Sequence, residues 1–159
     1  MSTVKAFRFP VTVRWEGGQL TRASAGSKVD LEIATPPEFP GGIAGVWSPE
    51  ELLVAATASC YAVTLAAIAE RREIPIHDFE VSGTGHLSKR DDGRFGFVAV
   101  ELDVRIETNA ATVRAAESAA QRAKDVCLVS LALDVPVHVG VFVRPTAPVQ
   151  HLLGSGVAS

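Results

Sequence analysis

Residues 52–69 form a run of eighteen residues without a charge, and this run constrains the fold more than any other feature of the chain. Its length is at the lower limit for a helix that crosses a bilayer. The run is rich in alanine, however, and it contains four polar or weakly polar side chains: Thr57, Ser59, Cys60 and Thr64. A helix that is apolar on almost every side has to be covered by lipid or by protein. Since the rest of the sequence is typical of a soluble protein, we predict a buried helix that a partner subunit helps to cover.

Composition narrows the class of protein. With 159 residues the chain has the length of one domain, which we place at residues 1–146, followed by a flexible tail at 147–159. The net charge of −3 and the lack of basic runs argue against nucleic acid or a membrane surface as a partner. Two cysteines are too few for a disulfide-stapled secreted scaffold, and the N-terminus has no signal-peptide pattern. We therefore expect a cytoplasmic protein.

Turn signals and periodicity predict the order of the elements. Ser48, Pro49 and Glu51 have the residue types and spacing of a capping box, with proline at the first helical position. One helix is therefore predicted from there to about Arg72, and a second from about residue 108 to residue 127. Strand patterns cover residues 7–15, 19–24, 29–33, 77–89, 95–107 and 135–143. Because the strands form hairpins and a meander rather than regular crossovers, the predicted fold class is α+β with mostly antiparallel sheet.

The sequence patterns favour no metal or nucleotide site. The histidines have no ligand spacing with each other or with the cysteines: His77, His86, His138 and His151. No dinucleotide fingerprint or phosphate loop occurs, and Gly154-Ser155-Gly156 lies in the tail rather than on the strand-to-helix turn that a hydrolase nucleophile needs. We expect neither a metal nor an organic cofactor.

The two cysteines are the remaining candidates for chemistry. Cys60 lies in the middle of the first predicted helix among small side chains, and Cys127 ends the second. A buried cysteine is most often a small core residue, whereas two cysteines that meet in the fold can act as a redox pair. From the residues alone, both interpretations stay open.

Residues 48–60 (SPEELLVAATASC) resemble the signature of the OsmC/Ohr family, whose helix opens with Asn-Pro-Glu and reaches a reactive cysteine ten residues after that glutamate. Residues 124–130 (KDVCLVS) resemble the second site of the family, usually Cys-Pro-x-Ser, with Leu128 in place of the proline. The resemblance extends over roughly residues 4–143. It implies an OsmC-like fold, in which mostly antiparallel sheets wrap around two long central helices of an intertwined homodimer.

The resemblance also implies a function, the reduction of organic hydroperoxides by a thiol peroxidase. Cys60 would be the peroxidatic thiol and Cys127 the resolving one, and a lipoyl-type or thioredoxin-like dithiol would reduce the resulting disulfide. Glu50 would assist from the partner subunit, because ten residues of helix rise about 15 Å and place it too far from the sulfur of its own chain. The alternatives are a non-catalytic dimer that binds an apolar ligand or senses redox state, and a structural dimer with two inert cysteines.

Two further sets of residues are candidates for the surroundings of Cys60. Family peroxidases hold an arginine against the peroxidatic cysteine, but Gln19 stands at one of the two family positions and residues 43–47 offer no arginine at the other. Arg14 and Arg22 on the neighbouring strands are therefore the candidates for stabilising a thiolate. The unusually apolar loop before the helix is expected to form the substrate pocket, through Phe39, Ile43, Val46 and Trp47.

Overall fold

The computed structural model describes residues 6–146, and these form two compact units with the boundary between Leu53 and Val54. The predicted tail at 147–159 lies outside the described residues, as does His151. The division of the chain that we predicted at residue 146 stays a prediction.

The first unit contains a three-stranded antiparallel sheet. Its strands are β1 (Thr12–Gly17), β2 (Leu20–Ser24) and β3 (Leu31–Ala34), in the order β1-β2-β3. The apolar alternation predicted a strand from residue 7, but β1 begins only after Pro10, whose ring nitrogen has no hydrogen to donate to a ladder. Val13 and Trp15 share one face of β1 and are 59% and 71% exposed, so this apolar face is uncovered in the single chain.

Helix α1 (Pro49–Arg71) begins where the sequence predicted and ends one residue earlier. The backbone N–H of Glu51 donates to Ser48 Oγ at 3.1 Å, and the N–H of Ser48 donates to Glu51 Oε2 at 2.8 Å. These reciprocal bonds are the predicted capping box, which provides acceptors for two N–H groups that lack a partner at a helix start.

The second unit contains a mixed sheet and two more helices. Strands β4 (Ile76–Lys89) and β5 (Phe95–Asn109) are antiparallel, and β6 (Val137–Thr146) pairs with β5 in parallel. Between β5 and β6 the chain forms a short 3₁₀ turn (Ala110–Thr112), α2 (Val113–Val126) and α3 (Leu128–Ala132). The α+β class and the mostly antiparallel pairing are confirmed. The closing strand differs from the predicted hairpin pattern because a helical crossover of this length returns the chain in the parallel direction.

Small residues set the packing of the second unit. A Cβ atom at Gly83 or Gly85 of β4 would lie 2.7 Å from a methyl group of Val54, so the absence of side chains there lets α1 approach the sheet closely. The face of α2 directed to the core is made of alanines that are fully buried: Ala116, Ala119, Ala120 and Ala123. These contacts hold the middle of α1 and the end of α2 in fixed positions, and both cysteines lie in these segments.

Much of α1 is not covered by its own chain. It is the one helix among the described residues that is long and apolar enough to cross a membrane, and only 28% of its most apolar window is buried. Val63 is 66% exposed and lies on the same side as Ala56, Ser59 and Ala66, which are exposed as well. The prediction that one chain cannot cover this helix completely agrees with these exposures.

Candidate functional site

The second unit brings the two cysteines together. Cys60 is half-buried in the middle of α1, and Cys127 is fully buried in the single residue that separates α2 from α3. Both are free thiols, and the side chain of Cys127 forms a hydrogen bond with the Cys60 sulfur. Cys127 has an extended backbone (φ −66°, ψ 112°), which ends α2 and starts α3 in a new direction.

The start of α3 supplies further donors to the Cys60 sulfur. The first N–H groups of a helix have no acceptor within it, and those of Val129 and Leu128 donate to Cys60. Partial burial of the thiol raises its pKa, but the hydrogen bonds from Val129, Cys127, Leu128 and the Thr64 side chain together outweigh burial, so the pKa of Cys60 lies below its ordinary value. Of these donors, the Thr64 hydroxyl also lies 2.7 Å from the Cys60 carbonyl oxygen, and its one proton can serve only one acceptor at a time. The lasting support for a thiolate therefore comes from Cys127 and α3.

Tyr61 is a buried neighbour of Cys127. Its ring is fully buried, and its hydroxyl donates to the Ala120 carbonyl at 2.9 Å. Burial of the phenol is the main cause that raises the pKa of Tyr61 to about 12, and the charge of a Cys127 thiolate is the second cause. On the other side of the cysteine pair, α3 exposes two large apolar side chains, Leu128 (78%) and Leu131 (66%). Cys60 thus has a rigid buried neighbour and an apolar surface available to a ligand.

Glu50 lies in the first turn of α1, ten residues before Cys60. Its Oε2 atom is buried, and no donor of the described chain reaches it. A buried carboxylate oxygen without a donor is costly, so its position favours a partner that the described chain does not contain.

The two candidate arginines differ in their contacts. In the first unit, the guanidinium of Arg22 binds both oxygens of Glu16, at 2.6 and 3.1 Å, and Glu32 at 2.9 Å. The hydrogen bond with Glu16 is the largest cause that raises the pKa of Arg22. Arg14 lies directly opposite Arg22 on β1, is exposed, and has no ion pair or hydrogen bond within residues 6–146. The guanidinium of Arg22 is therefore already bound to carboxylates, whereas that of Arg14 can bind another group.

Gln19 ties the apolar loop to the first sheet. Its side-chain amide donates to the Pro40 carbonyl at 2.9 Å and lies against Gly41, whose φ of +82° favours glycine. Backbone bonds hold the loop at two further points, from Ile43 to Thr35 and from Ala34 to Trp47. The loop is thus well fixed within its unit, and three of the four predicted pocket residues are exposed there: Phe39, Ile43 and Trp47, with Val46 half-buried.

The sequence did not reveal the role of α3. We ended the second predicted helix at residue 127 and assigned no role to the segment after it, yet this segment supplies two N–H donors and two apolar side chains beside Cys60. The sequence signal for this role was a mostly apolar segment of five residues, Leu128–Ala132, directly after the cysteine that ends α2. In the described part of the chain, no three histidine, cysteine or acidic side chains are grouped so as to hold a metal ion.

A sequence model of a family described as OsmC-like protein matches residues 42–141, which include both cysteines and Glu50. The chain belongs to the OsmC-like family. Its α+β fold is the fold of that family, and the resemblance stated from residues 48–60 and 124–130 is confirmed. Among curated proteins, no sequence is similar enough to count as a match.

Solved OsmC-like structures have the same fold. An OsmC-like protein of unknown function from Vibrio cholerae superposes with a TM-score of 0.78 at 17% identity, covering 86% of this chain and 100% of the other. An organic hydroperoxide resistance protein from Elizabethkingia anophelis gives 0.71 at 22% identity, with 92% and 100% covered. That of Bacillus subtilis gives 0.63 at 25% identity, with 87% and 98% covered. These relatives support the fold, while the chemistry rests on the cysteine geometry.

Proposed function

We propose that this OsmC-like protein is a thiol peroxidase that reduces organic hydroperoxides with Cys60 and Cys127. The observation that carries the proposal is that the Cys127 side chain lies within hydrogen-bonding reach of the Cys60 sulfur. A thiolate is the nucleophile in this chemistry, and a second thiol within reach is what protects the oxidised sulfur. Two structural relatives that are named organic hydroperoxide resistance proteins agree with this chemistry.

The reaction proceeds in three balanced steps. The Cys60 thiolate attacks the terminal oxygen of the hydroperoxide, the O–O bond breaks, and the alcohol leaves after taking up a proton, so that Cys60 becomes a sulfenic acid. The Cys127 sulfur then attacks Cys60, an S–S bond forms, and water leaves. An external dithiol reduces this bond by two thiol–disulfide exchanges and is itself oxidised to a disulfide. Because Cys127 is fully buried and Cys60 is not, the dithiol attacks the Cys60 sulfur.

The substrate class follows from the surface beside Cys60. Leu128 and Leu131 expose apolar side chains on α3, whose first N–H groups donate to the reacting sulfur. An apolar surface favours a hydroperoxide with a hydrocarbon group over hydrogen peroxide, since burying hydrocarbon contributes about 25 cal/mol per Å².

The active form is proposed to be a homodimer. One face of α1, around Val63, and one face of the first sheet, around Val13 and Trp15, are apolar and exposed in the single chain. Exposed apolar faces of this extent are typical of protein interfaces, and burying them between two copies removes them from water. The buried Oε2 atom of Glu50, which has no donor in the described chain, is then free to accept one from the second copy.

A dithiol-coupled turnover assay tests the proposal. Wild type is compared with Cys60→Ser and Cys127→Ser, using cumene hydroperoxide and hydrogen peroxide as substrates and a lipoyl dithiol as reductant. We expect turnover of cumene hydroperoxide by wild type, none by Cys60→Ser, and a single oxidation without steady turnover by Cys127→Ser. Ser88→Ala, at an exposed position of β4, is the control and should behave as wild type. Equally low activity in wild type and both cysteine variants would exclude the proposed peroxidase activity.

One observation favours a second candidate, a redox sensor without turnover. Gln19 stands where family peroxidases have an arginine, and its side chain is engaged by Pro40 within the loop. A sensor would form the Cys60–Cys127 disulfide in proportion to added hydroperoxide but would not be reduced by any dithiol at a rate that sustains turnover. The same assay distinguishes the two, because the sensor gives one oxidation per chain and then stops.

A further inference from the structure

Three arginines line a cleft that includes neither cysteine. It lies in the second unit, has a volume of about 340 Å³, and is lined by Ile68, Arg71 and Arg72 of α1 and by Arg122 and Val126 of α2. This volume is at the lower end of the range for small-molecule sites. Ile68 is buried and Val126 is half-buried, so the cleft combines an apolar floor with a rim of positive charge.

The three guanidinium groups have no carboxylate partner in the described chain. Other arginines of the protein do form ion pairs, namely Arg22, Arg90, Arg94 and Arg144. In the cleft, the only polar contact is from Arg72 Nη1 to Ser118 Oγ, at 3.4 Å, which links the end of α1 to α2. All three arginines are exposed, so water screens most of the repulsion between them, and an anion bound in the cleft offsets what remains.

Helix dipoles explain only part of this arrangement. Arg71 lies in the last turn of α1, where a positive charge is favourable. Arg122, in contrast, lies before the last basic residue of α2, which is Lys124. The preference of positive charges for the C-terminal turn of a helix therefore does not explain why Arg122 lines the same cleft.

We propose that this cleft binds the phosphate group of a small soluble molecule. Guanidinium groups present paired N–H donors that match phosphate oxygens, and a dianion offsets more of the three charges than a carboxylate does. The apolar floor at Ile68 and Val126 accommodates a small organic group attached to the phosphate. The site is independent of the peroxidase chemistry, since none of its lining residues donates to Cys60.

Titration of the full-length protein with inorganic phosphate and phenyl phosphate, followed by amide chemical shifts at constant ionic strength, tests this site. We expect saturable shifts in residues 68–72 and 118–126, with tighter binding of phenyl phosphate than of inorganic phosphate or benzoate. Arg122→Gln and Arg72→Gln should each weaken binding about tenfold, because each removes charge-assisted hydrogen bonds. Arg114→Gln, exposed on α2 and not part of the cleft, is the matched control and should bind as wild type.

Three results would overturn the proposal. Shifts that grow without saturation, or that chloride at the same ionic strength reproduces, mean that no site exists. Equal affinities of Arg122→Gln and wild type mean that binding is elsewhere. Binding to vesicles that contain phosphatidic acid, lost in Arg122→Gln and without any effect of soluble phosphates, assigns the cleft to a lipid headgroup instead. Alkylation rates of Cys60 should be the same in all variants, which keeps this test separate from the peroxidase.

Discussion

At the scale of single residues, hydrogen bonds within the described chain hold the pKa of Cys60 below its ordinary value. The donors are the N–H groups at the start of α3 and the Cys127 thiol, and they outweigh the effect of burial on the pKa. This arrangement makes Cys127 part of the activation of Cys60 as well as its proposed resolving partner. The arginine that the family resemblance implies beside this sulfur stays a prediction, with Arg14 as its candidate.

The contribution of Cys127 can be separated from its resolving role by two substitutions. Cys127→Ser keeps a donor in the same place, whereas Cys127→Ala removes it, and neither can form a disulfide. We expect a higher pKa of Cys60 in Cys127→Ala than in Cys127→Ser, because one hydrogen bond to the thiolate is lost. The pH dependence of the Cys60 alkylation rate measures this pKa. If the two variants have the same midpoint, the Cys127 side chain does not support the thiolate.

Tyr61 provides a second prediction, because it is the only tyrosine of the chain. Its pKa is raised to about 12, so its ultraviolet titration should have a midpoint well above the roughly 10 of a free phenol. Between these values the unfolded chain loses the proton and the folded chain keeps it, and stability falls as the pH rises through this window. Tyr61→Phe should remove that part of the pH dependence. A midpoint near 10 in the folded protein would contradict the burial of the phenol.

At the scale of elements, the end of α1 contains a strained residue. Glu73 has a φ of 52°, and the bonds from Ile74 N–H to the Ala69 carbonyl and from Glu73 N–H to the Glu70 carbonyl complete a Schellman motif. Glycine is favoured at this position because a side chain is strained there. Glu73→Gly should raise the free energy of unfolding by about 0.5–1 kcal/mol.

Denaturant unfolding measures this change, and Ala115→Gly on the exposed side of α2 is the matched control. Glycine in the first turn of that helix should lower the free energy of unfolding, by up to about 1 kcal/mol. Opposite signs for the two glycines are expected. A loss of stability in Glu73→Gly would show that the residue is not held in the left-handed conformation.

Several elements were predictable because their signals are local. The capping box at Ser48 and Glu51 and the alternation that buries Val100, Leu102 and Val104 of β5 depend on neighbours along the chain or on the period of one strand. The parallel pairing of β6 with β5 was not predictable, since it depends on the path of α2 and α3 between them. The donors at Leu128 and Val129 were missed for the same reason, because only the fold brings α3 to Cys60.

At the scale of the whole molecule, the exposed face of α1 is the main evidence for a second copy. Val63 is 66% exposed at the centre of this face, and Val63→Lys would place a charge where the proposed dimer buries apolar surface. We expect wild type to sediment as a dimer and Val63→Lys to shift towards monomer. Ala115→Lys, which adds the same charge to an exposed position of α2, should remain dimeric. A monomeric wild type would exclude the proposed assembly.

Family membership was predictable from two short motifs and the homodimer stays a prediction, whereas the full set of site contacts was not predictable. The motifs around Cys60 and Cys127 lie in contiguous segments, so their spacing could be compared directly. The role of Glu50, in contrast, depends on a donor outside the described chain, and that of Arg14 depends on what approaches an exposed strand.

Hydroperoxide should join Cys60 to Cys127 in a disulfide by way of an oxidised Cys60. Intact-mass analysis after one equivalent of cumene hydroperoxide, followed by mapping of the linked peptides without reductant, measures this outcome. We expect a loss of about 2 Da per chain and one peptide pair that joins Cys60 to Cys127 within the same chain. In Cys127→Ser we expect instead a gain of the mass of one oxygen at Cys60. Two free thiols after this treatment, or oxidation of Cys60 in wild type without the link to Cys127, would exclude this disulfide.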